Sequence, residues 1–155
     1  MPQIFKDGEY VYGWSKVGEG GRIAIPREAM DEYGLKERDK VIVMSGSRRS
    51  GGFAVTTPSH LRDTPLAAVL RRFPRLRTYQ MPEARVVRVE GRAFCWAAIG
   101  EGNYLTLPGM TLREYGIMPG DRLLTVRASR LALGFALRGP IVDEAATQPD
   151  LEVFE

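Results

Sequence analysis

The sequence predicts a mainly β protein with short helices, built from two copies of one small unit. Three observations lead there: self-similarity at a fixed offset of 82 residues, short apolar runs alternating with a period of two, and proline and glycine signals that bracket helices only about two turns long. Laid without a gap on Trp96 to Leu137, the stretch from Trp14 to Val55 matches Gly18-Glu19-Gly20 to Gly100-Glu101-Gly102 and Pro26 to Pro108. Glu32-Tyr33-Gly34 meets Glu114-Tyr115-Gly116, Asp39 meets Asp121, and Gly52-Phe53-Ala54 meets Gly134-Phe135-Ala136. Many of the positions that differ keep their character, and Ile23/Leu105, Leu35/Ile117 and Val41/Leu123 are among those apolar in both copies, as a shared core requires.

In chain order, each copy opens on an apolar, aromatic strand (Tyr10 to Val17; Phe94 to Ile99) that enters a Gly-Glu-Gly turn, where glycine supplies the positive φ of a tight reversal. A second strand follows, Arg22 to Ile25 and Tyr104 to Leu107, with its larger apolar side chains at alternate positions. Pro26 and Pro108 open short helices, and Gly34 and Gly116 close them. Helices this short are held by packing rather than by propensity. A hairpin ends each copy, Lys40 to Met44 with Gly52 to Thr56, and Arg122 to Arg127 with Ala132 to Leu137. The organisation reads as a first repeat over 9–57, an arginine-rich connector over 58–91, a second repeat over 92–140 and an acidic tail over 141–155. Within the connector, Thr64-Pro65-Leu66 reads as a cap and first turn, Ala67 to Phe73 as a helix stopped by Pro74, and Ala84 to Glu90 as a strand.

Composition narrows the function classes. At 155 residues, 44% hydrophobic and 26% charged, the chain has the profile of an ordinary globular protein. No apolar stretch approaches the roughly 20 residues that span a bilayer, and Met1 to Tyr10 lacks the layout of a signal peptide, so a cytoplasmic protein with no membrane partner is expected. One cysteine (Cys95) and one histidine (His60) furnish neither an internal disulfide nor a conventional zinc site, and no base-nucleophile constellation is visible. Neither an enzyme nor a cofactor is expected. His60 reads as an exposed loop residue, Cys95 as a small buried hydrophobe, and Trp14 and Trp96 as core or interface residues. The net charge is +3, but the five carboxylates of the tail leave +8 on residues 1–140. Such a body attracts polyanions, and the tail reads as a shield for it, as a contact for a basic partner, or most simply as a disordered segment.

The run Gly21-Arg22-Ile23-Ala24-Ile25-Pro26, the helix ending in Tyr33-Gly34-Leu35, and Asp39-Lys40-Val41-Ile42-Val43 together resemble the signature of AbrB/SpoVT (MazE-like) regulators and antitoxins. The second copy carries the pattern as Tyr104-Leu105-Thr106-Leu107-Pro108, Tyr115-Gly116-Ile117 and Pro119 to Leu124, so the resemblance covers a little over half the chain. It implies a swapped-hairpin barrel, here formed as an intrachain pseudo-dimer of the two repeats or by pairing between two chains. A unit of about 45 residues is near the size below which a core cannot stabilise itself, so it needs a partner copy. The resemblance also implies a transcriptional regulator that contacts double-stranded DNA through Lys16, Arg22 and Arg27, with Arg48 and Arg49 on the later hairpin turn. The second copy has Ala98, Tyr104 and Gly109 in place of Lys16, Arg22 and Arg27, which leaves the cationic face to one half unless two molecules associate as a homo-oligomer. Two alternatives follow. The chain could be an antitoxin-like protein whose acidic tail around Leu151 to Phe154 docks on a basic toxin. It could also be a barrel scaffold that has lost DNA and binds protein or a small ligand.

Overall fold

The computed structural model describes residues 9–155 together with the backbone of Gln3–Ile4. Most of the Met1 to Tyr10 segment discussed above lies outside the described residues. The chain is mainly β with short helices. Its strands are β1 (Gln3–Ile4), β2 (Tyr10–Lys16), β3 (Arg22–Ala24), β4 (Lys40–Ser45), β5 (Phe53–Thr56), β6 (Val87–Val89), β7 (Arg92–Gly100), β8 (Tyr104–Thr106), β9 (Arg122–Arg127), β10 (Leu133–Ala136) and β11 (Val153–Phe154). The helices are α1 (Arg27–Glu32), α2 (Pro58–Leu61), α3 (Ala67–Arg72), α4 (Pro74–Arg77), α5 (Gly109–Glu114) and α6 (Pro140–Ala145).

Hydrogen bonding runs β2-β9-β10-β5-β4-β7-β8-β3, and a bridge between Val17 and Ile23 returns from β3 toward β2, so the sheet is a mostly closed barrel. Strands of each copy pair with strands of the other. Lys16 lies opposite Arg122 and Trp14 opposite Leu124, while Ala98 lies opposite Lys40 and Trp96 opposite Ile42, pairs related by the 82-residue offset. Ile23 faces its own counterpart Leu105, and Phe53 faces its own counterpart Phe135. The turns lock the copies together in the same reciprocal way: Leu107 N–H donates to Gly21 at 3.0 Å and Ile25 N–H to Asn103 at 2.9 Å. At Gly21, φ is +80° and a Cβ would lie 1.8 Å from the Leu107 carbonyl oxygen, so only glycine permits this approach. The repeated tyrosines also cross over, Tyr33 Oη donating to the Ser129 carbonyl at 2.6 Å and Tyr115 Oη to that of Val43 at 3.0 Å.

Alternation sorts the side chains. Inward residues, including Ile23, Val41, Ile99, Leu105, Leu123 and the stacked pair Phe53 and Phe135 (ring centroids 4.8 Å apart), fill the barrel. The buried hydroxyls of Ser15 and Thr125 satisfy one another at 2.7 Å. Outward apolar residues are covered by two flaps. The connector packs Leu61, Leu70 and Leu76 over Ile42, Phe94 and Trp96, and the tail packs Ala145 and Leu151 over Trp14, Leu124 and Val126. Trp14 and Trp96 are thus buried, as expected, each beneath its own flap.

The structure corrects several local expectations. The tail is folded, not disordered: α6 is followed by β11, which runs parallel to β2 with Val153 opposite Trp14. Its docking requires a bulge between Val11 and Gly13, where Gly13 adopts φ +150° beneath the tail. His60 sits half-buried in α2, whose N-terminus is capped by Thr57 Oγ1 accepting from the His60 N–H at 3.2 Å. Thr64 does not cap α3, because its hydroxyl turns back to the Leu61 carbonyl at 2.8 Å and α3 begins after Leu66. Pro74 ends α3 by opening α4. The Ala84–Glu90 strand shrinks to Val87–Val89 because Ala84 and Glu90 take left-handed φ of +64° and +51°. No helix among the described residues is long and apolar enough to cross a membrane.

Candidate nucleic-acid interface

The site is built on the outer side of β3 and β8, where the copies meet. With Ile23 and Leu105 pointing inward, Arg22, Tyr104 and Thr106 face out. Lys16 and Arg122 lie opposite one another at the ends of β2 and β9, also facing out, because Val17 and Leu123 point into the barrel. Arg27 is exposed at the first turn of α1, which Pro26 precedes at the N-cap with φ −55°. No side-chain hydrogen bond or ion pair engages Arg27 among the described residues. Lys16, Arg22 and Arg122 therefore come together beside the Gly20-Gly21 turn, whereas Arg27 stands on α1, whose Glu28 and Glu32 reach Tyr10 and Arg127 at the other ends of β2 and β9.

Arg22 holds its guanidinium 3.7 Å from the centroid of the Tyr104 ring. Stacking of this kind fixes the planar group while leaving its N–H donors available to an anion. Tyr104 Oη in turn donates to the Glu155 main-chain oxygen at 2.6 Å, and Lys16 Nζ lies 3.5 Å from Glu155 Oε1. The Lys16 and Glu155 side chains are 43% and 68% exposed, so the pair is screened by solvent and yields readily to a competing anion.

Arg48 and Arg49 do not join this surface. They occupy the Ser47-Arg48-Arg49-Ser50 turn between β4 and β5, on the side of the ring opposite β3 and β8. There Arg138 donates to the Arg48 carbonyl at 2.9 Å, and Arg49 lines a cleft of about 750 Å³ with Arg92, Arg127 and Arg138. Those neighbours are largely engaged, Arg92 with the Ser45 carbonyl at 2.9 Å and Arg127 with the Glu32 carboxylate, whose ionised form that contact favours.

Sequence reasoning overlooked Lys40 and Arg122. They are equivalent under the 82-residue offset and basic in both copies, a signal the alignment contained beside Asp39 and Asp121. Lys40 faces outward opposite Ala98, with its ammonium 5.3 Å from the Trp96 ring centroid. Two charged positions of the first copy are apolar and exposed in the second: Met110 and Met118, at 79% and 67% exposure, stand in place of Glu28 and Lys36. Burial pushes the Cys95 thiol up to about 11, and no group of three or more His, Cys, Asp or Glu among the described residues is arranged to hold a metal.

No protein-family model matches the chain, and no curated protein matches it. Among solved structures, the solution structure of PHS018 from Pyrococcus horikoshii aligns at 16% identity with a TM-score of 0.37, over 84% of this chain and 96% of that one.

Proposed function

We propose that the chain is an AbrB-like swapped-hairpin barrel closed within one polypeptide, and that it acts as a transcriptional regulator by binding double-stranded DNA. The reciprocal strand registers support the fold assignment: each copy completes the other's sheet, which is what an intrachain pseudo-dimer requires. The observation that carries the DNA reading is the convergence of Lys16, Arg22 and Arg122 on one exposed face, with Arg22 held by stacking on Tyr104; exposed Arg27 on α1 supplies a further cation. Phosphate neutralisation by such groups supplies most of the affinity, and a splayed arginine also reads guanine edges.

Fluorescence anisotropy with a random-sequence duplex pool across a salt series tests this. Binding should weaken steeply with salt. The Arg22→Ala/Arg27→Ala protein should stay folded and lose about 0.9 of the log–log salt slope for each phosphate contact removed. Undiminished binding by that folded variant overturns the proposal.

A second reading, a scaffold that binds protein, draws on exposed Met110 and Met118, whose flexible apolar side chains suit an adaptable contact. The antitoxin reading requires Leu151 to Phe154 to leave β2, where Leu151 is buried and Val153 and Phe154 are strand-paired.

A further inference from the structure

The connector arginines divide into two groups. Arg88 pairs with Glu114 at 2.6 Å, Arg75 donates to the Gln80 carbonyl at 3.1 Å, and Arg72 lies over the Phe73 ring. These hold the flap together. Arg62, Arg71 and Arg77 are exposed, make no side-chain hydrogen bond or ion pair with the described residues, and line one open cleft of about 750 Å³. Thr57 and Ser59 add hydroxyls to its walls, and no carboxylate lines it. Three guanidiniums around a carboxylate-free cleft repel one another until an anion enters. Their planar forks suit phosphate oxygens, and the hydroxyls supply the supplementary donors that phosphate contacts commonly use.

The cleft is continuous with the deficient half of the cationic face. Tyr79, on its wall, donates from Oη to the Lys40 carbonyl at 3.1 Å, and the Lys40 ammonium lies 5.9 Å from the Tyr79 ring centroid. Lys40 in turn stands opposite Ala98, which replaces Lys16 in the second copy. Resting on the DNA reading above, we infer that Arg62, Arg71 and Arg77 grip the phosphate backbone of the same duplex and, through Lys40, return to the second half the positive charge that its own repeat lost.

The test uses the full chain, the same duplex pool and the same salt series. An Arg62→Ala/Arg71→Ala/Arg77→Ala protein should melt as the parent does, since these side chains are exposed, and its log–log salt slope should be shallower by up to about 2.7. An Arg→Lys version of the triple variant should recover most of that slope, because charge is restored. If the alanine triple keeps the parental slope while Arg22→Ala/Arg27→Ala lowers it, the connector inference falls and the DNA reading stands. If the parent binds no duplex even at low salt, both fall.

Discussion

Replacing Gly13 with alanine should release the tail from the barrel. Two costs arise at this position. Gly13 holds φ +150°, a region nearly exclusive to glycine, and an alanine there carries about 1–3 kcal/mol of backbone strain. The added Cβ would also lie 2.6 Å from the Glu152 carbonyl oxygen and 2.7 Å from the Phe154 ring. Ordinary contact needs about 3.5 Å, so the carbonyl must retreat by about 0.9 Å. That same oxygen accepts the Trp14 N–H at 2.8 Å, and such a retreat takes the bond out of its normal range. Holding the tail in place are burial of Leu151, worth about 1.5–3 kcal/mol, and a few hydrogen bonds of about 1 kcal/mol each. Strain and clash together are of that size, so the tail should open locally while the barrel stays folded. Gly20→Ala supplies the control: φ is +76° there, but a Cβ would meet nothing within 4 Å, so it carries strain without a clash. Hydrogen exchange at the Trp14 amide, and the emission of Trp14 in a Trp96→Phe background, read the opening. Gly13→Ala should lose amide protection and red-shift, whereas Gly20→Ala should do neither. Parental protection of the Trp14 amide in a folded Gly13→Ala protein would refute the reasoning.

Other expectations follow from the same geometry. Glu155→Gln removes the carboxylate beside Lys16, so duplex affinity should rise severalfold at low salt and converge with the parent at high salt; an equal gain at every salt concentration would argue against direct competition. Cys95 is buried against Tyr115 with its thiol pushed up to about 11, so alkylation by iodoacetamide at pH 8 should require unfolding; rapid native labelling would contradict that placement. Because that pKa is raised above its ordinary value of 9.0, the folded state binds more protons between about pH 9 and 11, and stability should fall through that window in the parent but less in Cys95→Ala. Phe135→Ala removes half of the stacked pair at the centre of the barrel and should cost about 3–5 kcal/mol in denaturant unfolding.

What the sequence made legible is what repetition encodes. The offset of 82 placed the strands, the Pro-to-Gly helices and the buried tryptophans, because each depends on local patterning that occurs twice. Partner strands were less visible. Nothing in the alternation of Lys40 to Met44 says that its neighbour is β7 of the other copy, although the equivalence of Lys40 and Arg122 hinted that both ends of the barrel were dressed alike. The tail was misread because five carboxylates without a basic residue suggest a solvated segment, while its two anchoring features are single events: Leu151 in a hydrophobic cluster and a glycine 138 residues earlier that makes room for it. Of the candidate site, Lys16 and Arg22 come together through Glu155 and Tyr104, Arg27 stands apart on α1, and Arg48 and Arg49 lie in the β4–β5 turn, across the ring from β3 and β8.

The divergence between copies has a physical rationale at the point where they meet. Ile23 faces its own counterpart, so the residues flanking it lie near the counterparts of their own positions. In a dimer of identical chains, arginine at position 22 would approach a second arginine across the two-fold axis, and the like charges would repel with no counter-ion supplied by the sheet. Fusion of the copies removes the requirement that both halves be identical. Tyrosine at position 104 turns the repulsive pair into a stacked one, with the guanidinium 3.7 Å from the ring centroid. The flaps diverge in the same manner: each covers an equivalent tryptophan, but the connector brings arginines to one half and the tail brings Glu155 to the other. If this reasoning holds, Tyr104→Arg should restore the repulsion. It should lower the melting temperature at low salt, and the deficit should shrink as ionic strength rises. Tyr104→Phe keeps the ring but loses the bond to Glu155, so it should leave the Arg22 stack intact and weaken only the tail. A Tyr104→Arg protein as stable as the parent at low salt would mean that the difference between positions 22 and 104 is unrelated to charge across the seam.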